Sequence, residues 1–330
     1  MILFVLLLAA MFAAALAYEG LGEHLDDRRL PPPGRLIDIG KCRLHVHSEG
    51  TGTPAVILES GIAASSLSWA LVQPKIARFA RVLSYDRAGL GWSSACKTPR
   101  TVEAMLSELA TVLEKADCRG PFILVGHSFG GLLVRAFAHF RPGDVAGLIL
   151  VDPVSLSGWA DCEPNQLRRL GAGVKLSRRG ATLARFGVVR AILAILAAGG
   201  RWLPKAVAHA SAGRGSSVIE RLIGEVRRLP AELHPMVRAH WSRAKSFQAM
   251  AGYLDCLPES ARIAQQMPIP AEIPLIVLSA STATDAELEE RESWVAMSES
   301  GRHVRVKDTG HWIQLEQPDA VVAAVRELLQ

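Results

Sequence analysis

The chain opens on seventeen residues, MILFVLLLAAMFAAALA, with no charge and no polar side chain. As a helix they would reach about 26 Å, just short of the roughly 30 Å hydrocarbon core of a bilayer. A segment apolar on every side has no solvent face, so it does not read as a surface-packed helix of the core. Two readings of residues 1–17 remain. Ala15-Leu16-Ala17 has the small-x-small form of a signal-peptidase site, which makes the segment a cleaved export signal. No Lys or Arg precedes it, and Arg28, Arg29 and Arg35 all follow, which fits an uncleaved anchor with its C-terminal side in the cytoplasm. The chain is thus expected to be membrane-anchored or exported rather than cytoplasmic. Residues 18–34 are charged and end in Pro31-Pro32-Pro33-Gly34, a composition that predicts a semi-rigid spacer.

From Arg35 the pattern alternates. Arg35–Ile39 and Cys42–His47 read as a hairpin about Gly40-Lys41. Ala55–Leu58, Arg81–Tyr85, Phe122–Val125, Leu148–Val151, Leu275–Leu278 and Val304–Val306 are short apolar runs of buried-strand length. Between them Leu67–Phe79, Val102–Ala116 (with Thr101 as N-cap), Leu132–Phe140 and Asp319–Leu329 have helical spacing. Short buried strands alternating with helices predict an α/β fold with a mostly parallel sheet covered on both faces. Between Pro153 and Pro270 the strand signals stop and the chain reads as helices, broken at Gly199-Gly200 and by prolines. The expected organisation is therefore an N-terminal segment over 1–17, a linker over 18–34, a core over 35–152, a helical cap over 153–270 and the rest of the core over 271–330. An insertion between two strands lies above the C-terminal sheet edge, where α/β proteins bind ligands.

Composition sharpens this picture at three points. With 49% hydrophobic and 21% charged residues the chain is globular, which excludes disorder and coiled coil. Five cysteines, none in a C-x-x-C, exclude a disulfide-dense scaffold or zinc ribbon. The net charge of +5 is unevenly spread: residues 153–270 hold 17 Lys+Arg against 7 Asp+Glu, or +10, leaving −5 elsewhere. Within the cap, Arg178, Arg179, Arg185 and Arg190 alternate with Ala, Leu, Ile and Val rather than with stacking aromatics. That is no nucleic-acid pattern; over 176–204, with Lys205 following, it suits either a membrane surface or a solvated lid face.

The chemistry centres on Phe122-Ile-Leu-Val-Gly-His-Ser-Phe-Gly-Gly131, a strand, then Gly126-His127-Ser128-Phe129-Gly130, then a helix. This is G-x-S-x-G in the strand-to-helix context that exposes a nucleophilic serine. Only small residues fit two positions either side of such a turn. The helix start offers unbonded N–H groups to a developing oxyanion. A serine needs a base, and His311, in Asp308-Thr-Gly-His-Trp-Ile-Gln-Leu-Glu-Gln-Pro318 between the last strand and last helix, can reach the same sheet edge. The acid has two candidates. Asp152 ends the strand Leu148–Val151. Asp285 follows Leu275–Leu278 but also sits in Thr284-Asp-Ala-Glu287, a capping box that explains it without catalysis. His45 and His47 share a strand face and are expected toward solvent, His127 is expected to pack, and Asp86 and Arg87 are expected to hold a loop as an internal ion pair.

Together with Leu58-Glu-Ser-Gly-Ile62 and Ser84-Tyr-Asp-Arg-Ala-Gly-Leu-Gly-Trp-Ser93, the elbow and Gly310-His-Trp occur in the order seen in α/β-hydrolases. The chain resembles that family, in its capped serine-hydrolase (esterase- or lipase-like) form, over about 35–330 apart from the cap. The resemblance implies an acyl-enzyme mechanism on Ser128, His311 and Asp152 or Asp285, with oxyanion donors at the N–H of Phe129 and of Ile62. The family often has His-Gly where this chain has Ser60-Gly61; a backbone donor does not need that histidine. Epoxide hydrolases and haloalkane dehalogenases of this fold use an aspartate nucleophile, and Ser128 occupies its place here. No cofactor and no metal are implied. The expected partner is a small, apolar acyl substrate, with a membrane as second partner if 1–17 is retained. An aminopeptidase or amidase with the same triad, and a non-catalytic binding protein of this fold, are the alternatives; the shortage of acids in the cap disfavours recognition of a free amine.

Overall fold

The computed structural model describes residues 1–198 and 226–330. Its sheet has eight strands: β1 (Arg35–Asp38), β2 (Arg43–Glu49), β3 (Ala55–Glu59), β4 (Val82–Tyr85), β5 (Phe122–His127), β6 (Val145–Val151), β7 (Leu275–Ala280) and β8 (Gly301–Val306). The order is β1-β2-β4-β3-β5-β6-β7-β8. β1 pairs antiparallel with β2, and β2 with β4; every other pairing is parallel. Apolar residues dominate β3 to β7 because both faces are covered. Alternate side chains serve the two faces: Ile57, Leu124, Leu148 and Val277 join one buried cluster, and Val56, Val125, Ile149 and Leu278 the other.

Twelve α-helices can be followed among the described residues. α1 (Ile2–Arg29) is followed by α2 (Gln73–Ile76), α3 (Val102–Lys115) and α4 (Phe129–Phe140). The insertion between β6 and β7 holds α5 (Leu156–Ala160), α6 (Pro164–Arg185), α7 (Val188–Ala197), α8 (His234–Ser242) and α9 (Ala244–Gln265). α10 (Asp285–Val295), α11 (Ile313–Glu316) and α12 (Pro318–Leu328) close the chain. α3 and α4 pack with α9 on one face of the sheet, and α2 and α12 on the other. Thr101 caps α3 as expected, its hydroxyl accepting the N–H of Ala104 at 3.3 Å.

Three expectations change. Leu67–Phe79 is not one helix: it is a 3₁₀ turn over Ser66–Trp69 and the short α2, separated where Pro74 lacks the N–H to continue the ladder. Residues 18–34 are not extended throughout; α1 runs unbroken to Arg29, and only the prolines beyond it leave the helix. Its polar half is held down, because Arg190 of α7 pairs with Glu19 at 2.8 Å and Asp26 at 2.5 Å, and Arg243 with Asp27 at 2.7 Å. Arg190 is therefore committed inside the fold and not part of a solvated face. The apolar half of α1 is exposed, from Ile2 to Leu16. α1 is long and apolar enough to cross a membrane; α6 and α7 meet the same criterion only as a pair, bent by 88°. The expected break at Gly199-Gly200, the end of the basic stretch over 199–204 and Lys205 lie outside the described residues.

Candidate active site

β5 ends at His127 and α4 begins at Phe129, so the whole turn rests on Ser128. Its backbone lies at φ 53°, ψ −118°, a region that costs a non-glycine residue on the order of 1–3 kcal/mol. The turn is pinned from both sides. Ser128 donates its N–H to Val151 at 3.0 Å, and its carbonyl accepts from Gly131 at 2.9 Å. The glycines are required by contact: a Cβ at Gly126 would lie 2.5 Å from the carbonyl oxygen of Gly130, and one at Gly130 would strike the carbonyls of Glu59 and Ser60.

Asp152 follows β6 at φ 41° and donates its N–H to Leu278 at 2.7 Å, which ties it to the neighbouring strand β7. Both carboxylate oxygens are occupied. Oδ2 lies 2.7 Å from Nδ1 of His311, and Oδ1 accepts from the Ala280 N–H at 3.0 Å and from Arg291 Nη1 at 2.9 Å. Burial pushes this carboxyl upward, but the His311 hydrogen bond, followed by the charges of His311 and Arg291, brings it down to about 2. Asp285 is elsewhere: it is exposed at the first turn of α10, beside a complete capping box of Thr284 and Glu287. Of the two candidate acids, only Asp152 reaches His311.

His127 is fully buried, as expected, and its Nε2 lies 2.8 Å from the carbonyl oxygen of His311, which steadies the loop carrying that ring. Sequence reasoning missed Arg291. Buried at 2% exposure, it bonds Asp152, Ser279 Oγ at 2.9 Å and the Pro153 carbonyl at 2.8 Å. Its only trace in the sequence is a single cation in the acidic helix Asp285–Glu292.

Asp86 and Arg87 do hold loops, but not by pairing with each other. Asp86 bonds His45 Nδ1 at 2.9 Å and accepts the N–H groups of Ser66 at 2.7 Å and Trp92 at 2.9 Å. His45 is thus wholly buried rather than facing solvent, because a buried carboxylate faces it across the strand pair; His47 is half-buried. Arg87 pairs with Glu59 and donates to the carbonyls of Ser60, at 2.6 Å, and Gly61. Burial works against its charge, and the Glu59 carboxylate outweighs this and raises its pKa. A trans peptide points its N–H opposite its C=O. With the Gly61 carbonyl held by Arg87, the N–H of Ile62 is turned away from that guanidinium.

Ser128, His311, Phe129 and Ile62 all line one pocket. Its other walls are Gly61, His127, Val154, Trp159, Trp312 and a stripe of α9, Met250, Leu254 and Leu257, spaced at helical intervals. Among the described lining residues none is a carboxylate. Cys42, Cys96 and Glu108 bring ligand atoms within 4.8 Å of one another, away from this pocket. Glu108 is already held by Arg100 at 2.8 and 2.9 Å, so the group does not read as a metal centre.

Comparison with known proteins agrees with this architecture. The family model described as "Alpha/beta hydrolase family" matches residues 55–324. The chain is 32% identical over 128 residues to a 2-hydroxy-6-oxo-2,4-heptadienoate hydrolase of Pseudomonas putida, a match covering 38% of this chain and 46% of that one. The chain spans less than half the length of the curated relatives it matches. Among solved structures, an enol-lactonase from Burkholderia xenovorans LB400 superposes with a TM-score of 0.59 at 18% identity, over 89% of this chain and 99% of that one. The Cif epoxide hydrolase from Acinetobacter nosocomialis does so with a TM-score of 0.67 at 15% identity, over 96% and 97%. With the family pattern spanning most of the chain, and the eight-stranded sheet and serine elbow in place beneath it, this protein belongs to the alpha/beta hydrolase family.

Proposed function

We propose that the protein is a serine hydrolase that cleaves an ester-like acyl bond, with Ser128 as nucleophile, His311 as base and Asp152 as the acid that orients His311. The observation that carries this reading is the 2.7 Å bond from His311 to Asp152 at the sheet edge, in a pocket that also exposes Ser128. His311 Nε2 takes the Ser128 Oγ proton as Oγ bonds the acyl carbon. The negative charge on the former carbonyl oxygen is met by the N–H groups of Phe129 and Ile62. Phe129 opens α4, so its N–H precedes the first intrahelical acceptor. The intermediate collapses, the C–O bond to the alcohol breaks, and the imidazolium returns the proton to the leaving oxygen. Water repeats the sequence on the acyl-enzyme. Asp152 stays ionised throughout, which its low pKa favours.

Residues 153–270 act as the cap, and α9 supplies the apolar wall of the acyl pocket. Eight apolar side chains around the serine and no carboxylate among the described lining residues favour an uncharged acyl group over a free amine. The test is a series of p-nitrophenyl esters of graded acyl length with the full chain and Ser128→Ala. Hydrolysis should be best at medium length and should fall by about 10³-fold or more in the variant. Equal hydrolysis by both proteins would overturn the reading.

A further inference from the structure

α1 is a single unbroken helix with two different halves, and the cap grips it at their boundary. On the polar side, Glu19 and Asp26 hold Arg190 of α7. At the boundary, Tyr18 lies against Gly187, whose left-handed backbone (φ 69°) turns the corner between α6 and α7; a Cβ there would come within 2.5 Å of the Tyr18 ring. On the apolar side, Phe12 meets Phe186 edge-to-face, with ring centroids 5.2 Å apart. Six residues separate Phe12 from Tyr18, about 9 Å along the helix. The cap corner therefore reaches about 9 Å past the polar boundary, alongside the segment that has no polar side chain.

That reach has a consequence if residues 2–17 lie in lipid. Whatever touches Phe12 shares its depth, and interfacial elements sit about 5–10 Å into the headgroup and acyl boundary. The corner is composed for such a place. Leu183 and Val188, on either side of the turn, are exposed, at 47% and 39%, with Phe186 between them half-buried, although large apolar side chains grouped on a soluble surface call for a partner. Arg179 and Arg185, exposed on α6 beside them, suit phospholipid headgroups.

We propose that the α6–α7 corner is a membrane-inserting wedge, fixed in depth by its grip on α1 and occupied by the acyl region of a phospholipid bilayer. The partner is lipid rather than a protein because the corner is joined, by the Phe12–Phe186 contact, to a helix long and apolar enough to cross a membrane. α6 also packs on the pocket wall: Val174 shares a cluster with Met250 and Leu254 of α9. The wedge thus holds the acyl pocket at the bilayer surface and selects apolar esters dissolved in the membrane. This last step rests on the esterase reading above; the wedge itself does not.

The full chain is reconstituted in phosphatidylcholine vesicles, with and without phosphatidylserine, containing a diazirine-bearing phospholipid. After irradiation, lipid adducts are mapped on tryptic peptides. Adducts are expected on residues 180–185 and 186–190 as well as on the N-terminal peptide, more strongly with the anionic lipid. Adducts confined to the N-terminal peptide, or none, would overturn the proposal. In a Leu183→Asp/Val188→Asp variant, altered only at exposed positions, the corner adducts should disappear while the N-terminal ones persist; retained corner adducts would also overturn it. The variant should hydrolyse a short, water-soluble ester within twofold of the parent and a vesicle-dissolved long-chain ester about tenfold more slowly. Hydrolysis of neither ester by the parent, with its adducts on the corner as expected, would strike the esterase reading and leave the wedge standing.

Discussion

Asp152 works in two directions at once, and its neighbours differ in how visible they are in the sequence. One oxygen faces His311 and the other faces Arg291 and the Ala280 N–H. Replacing it by Asn keeps the shape but removes the charge that fixes the imidazole tautomer, so Asp152→Asn should lower ester turnover by about 10³–10⁴-fold. Asp285→Asn, at the exposed start of α10, should leave turnover within twofold and cost about 1 kcal/mol or less. A near-complete loss in Asp285→Asn alone would reverse these roles. Arg291→Ala leaves a buried carboxylate with one fewer partner and should cost about 3 kcal/mol or more in urea unfolding; a loss under 1 kcal/mol would show that Asp152 does not depend on it. Ser128, His311 and Asp152 were legible because each ends or follows a strand in a recognisable local pattern. Arg291 and Glu59 were not, because their roles come from contacts with residues far along the chain, and a lone cation in an acidic helix carries no signal of its partner.

At the scale of elements, the strand-turn-helix of β5 and α4 is the part most tightly specified by local residues. A Cβ on either of its two glycines would strike backbone carbonyls, and backbone cannot retract as a side-chain tip can. Gly126→Ala and Gly130→Ala should therefore prevent accumulation of folded protein, or lower its Tm by well over 5 °C, whereas Gly143→Ala, in open space, should not. Periodicity located all eight strands to within a few residues, since apolar runs bounded by turns survive packing on both faces. It failed for α2, where Pro74 stops the ladder, and for residues 18–29. There, charged side chains read as solvated, while the structure uses Glu19, Asp26 and Asp27 to dock a helix. Charge alone cannot distinguish a linker from a helix whose counter-ions lie in an insertion some 170 positions away.

For the whole molecule, cap and core meet at buried titratable groups, which gives the fold a directional response to acid. His240 of α8 packs edge-on against Trp92 of the core at 4.5 Å. Its pKa is lowered to about 3, chiefly by burial; Asp86 opposes this, and Lys245 and Arg243 add to it. The unfolded chain takes up this proton near pH 6.5 and the native one only near 3, so stability falls as pH drops through that interval. Asp152 and Asp86, each lowered to about 2, act in the same direction but at lower pH. Their contribution, about 2 kcal/mol each, is complete above pH 4 and is lost between about 4 and 2. Tm should thus decline gently below pH 6.5 and steeply below 4. His240→Gln should flatten the upper part of the decline and leave the lower part; a variant as sensitive as the parent between pH 6 and 4 would remove His240 as the cause.

The central claim is that Ser128 is an activated nucleophile, and one measurement reads it directly. The full chain is treated with a fluorophosphonate at neutral pH, digested, and the phosphonylated residue located by mass spectrometry. The account predicts a single adduct on Ser128, absent in Ser128→Ala and formed at least 10²-fold more slowly in His311→Ala. An unlabelled Ser128, or a label that persists on another residue when Ser128 is replaced, would contradict it.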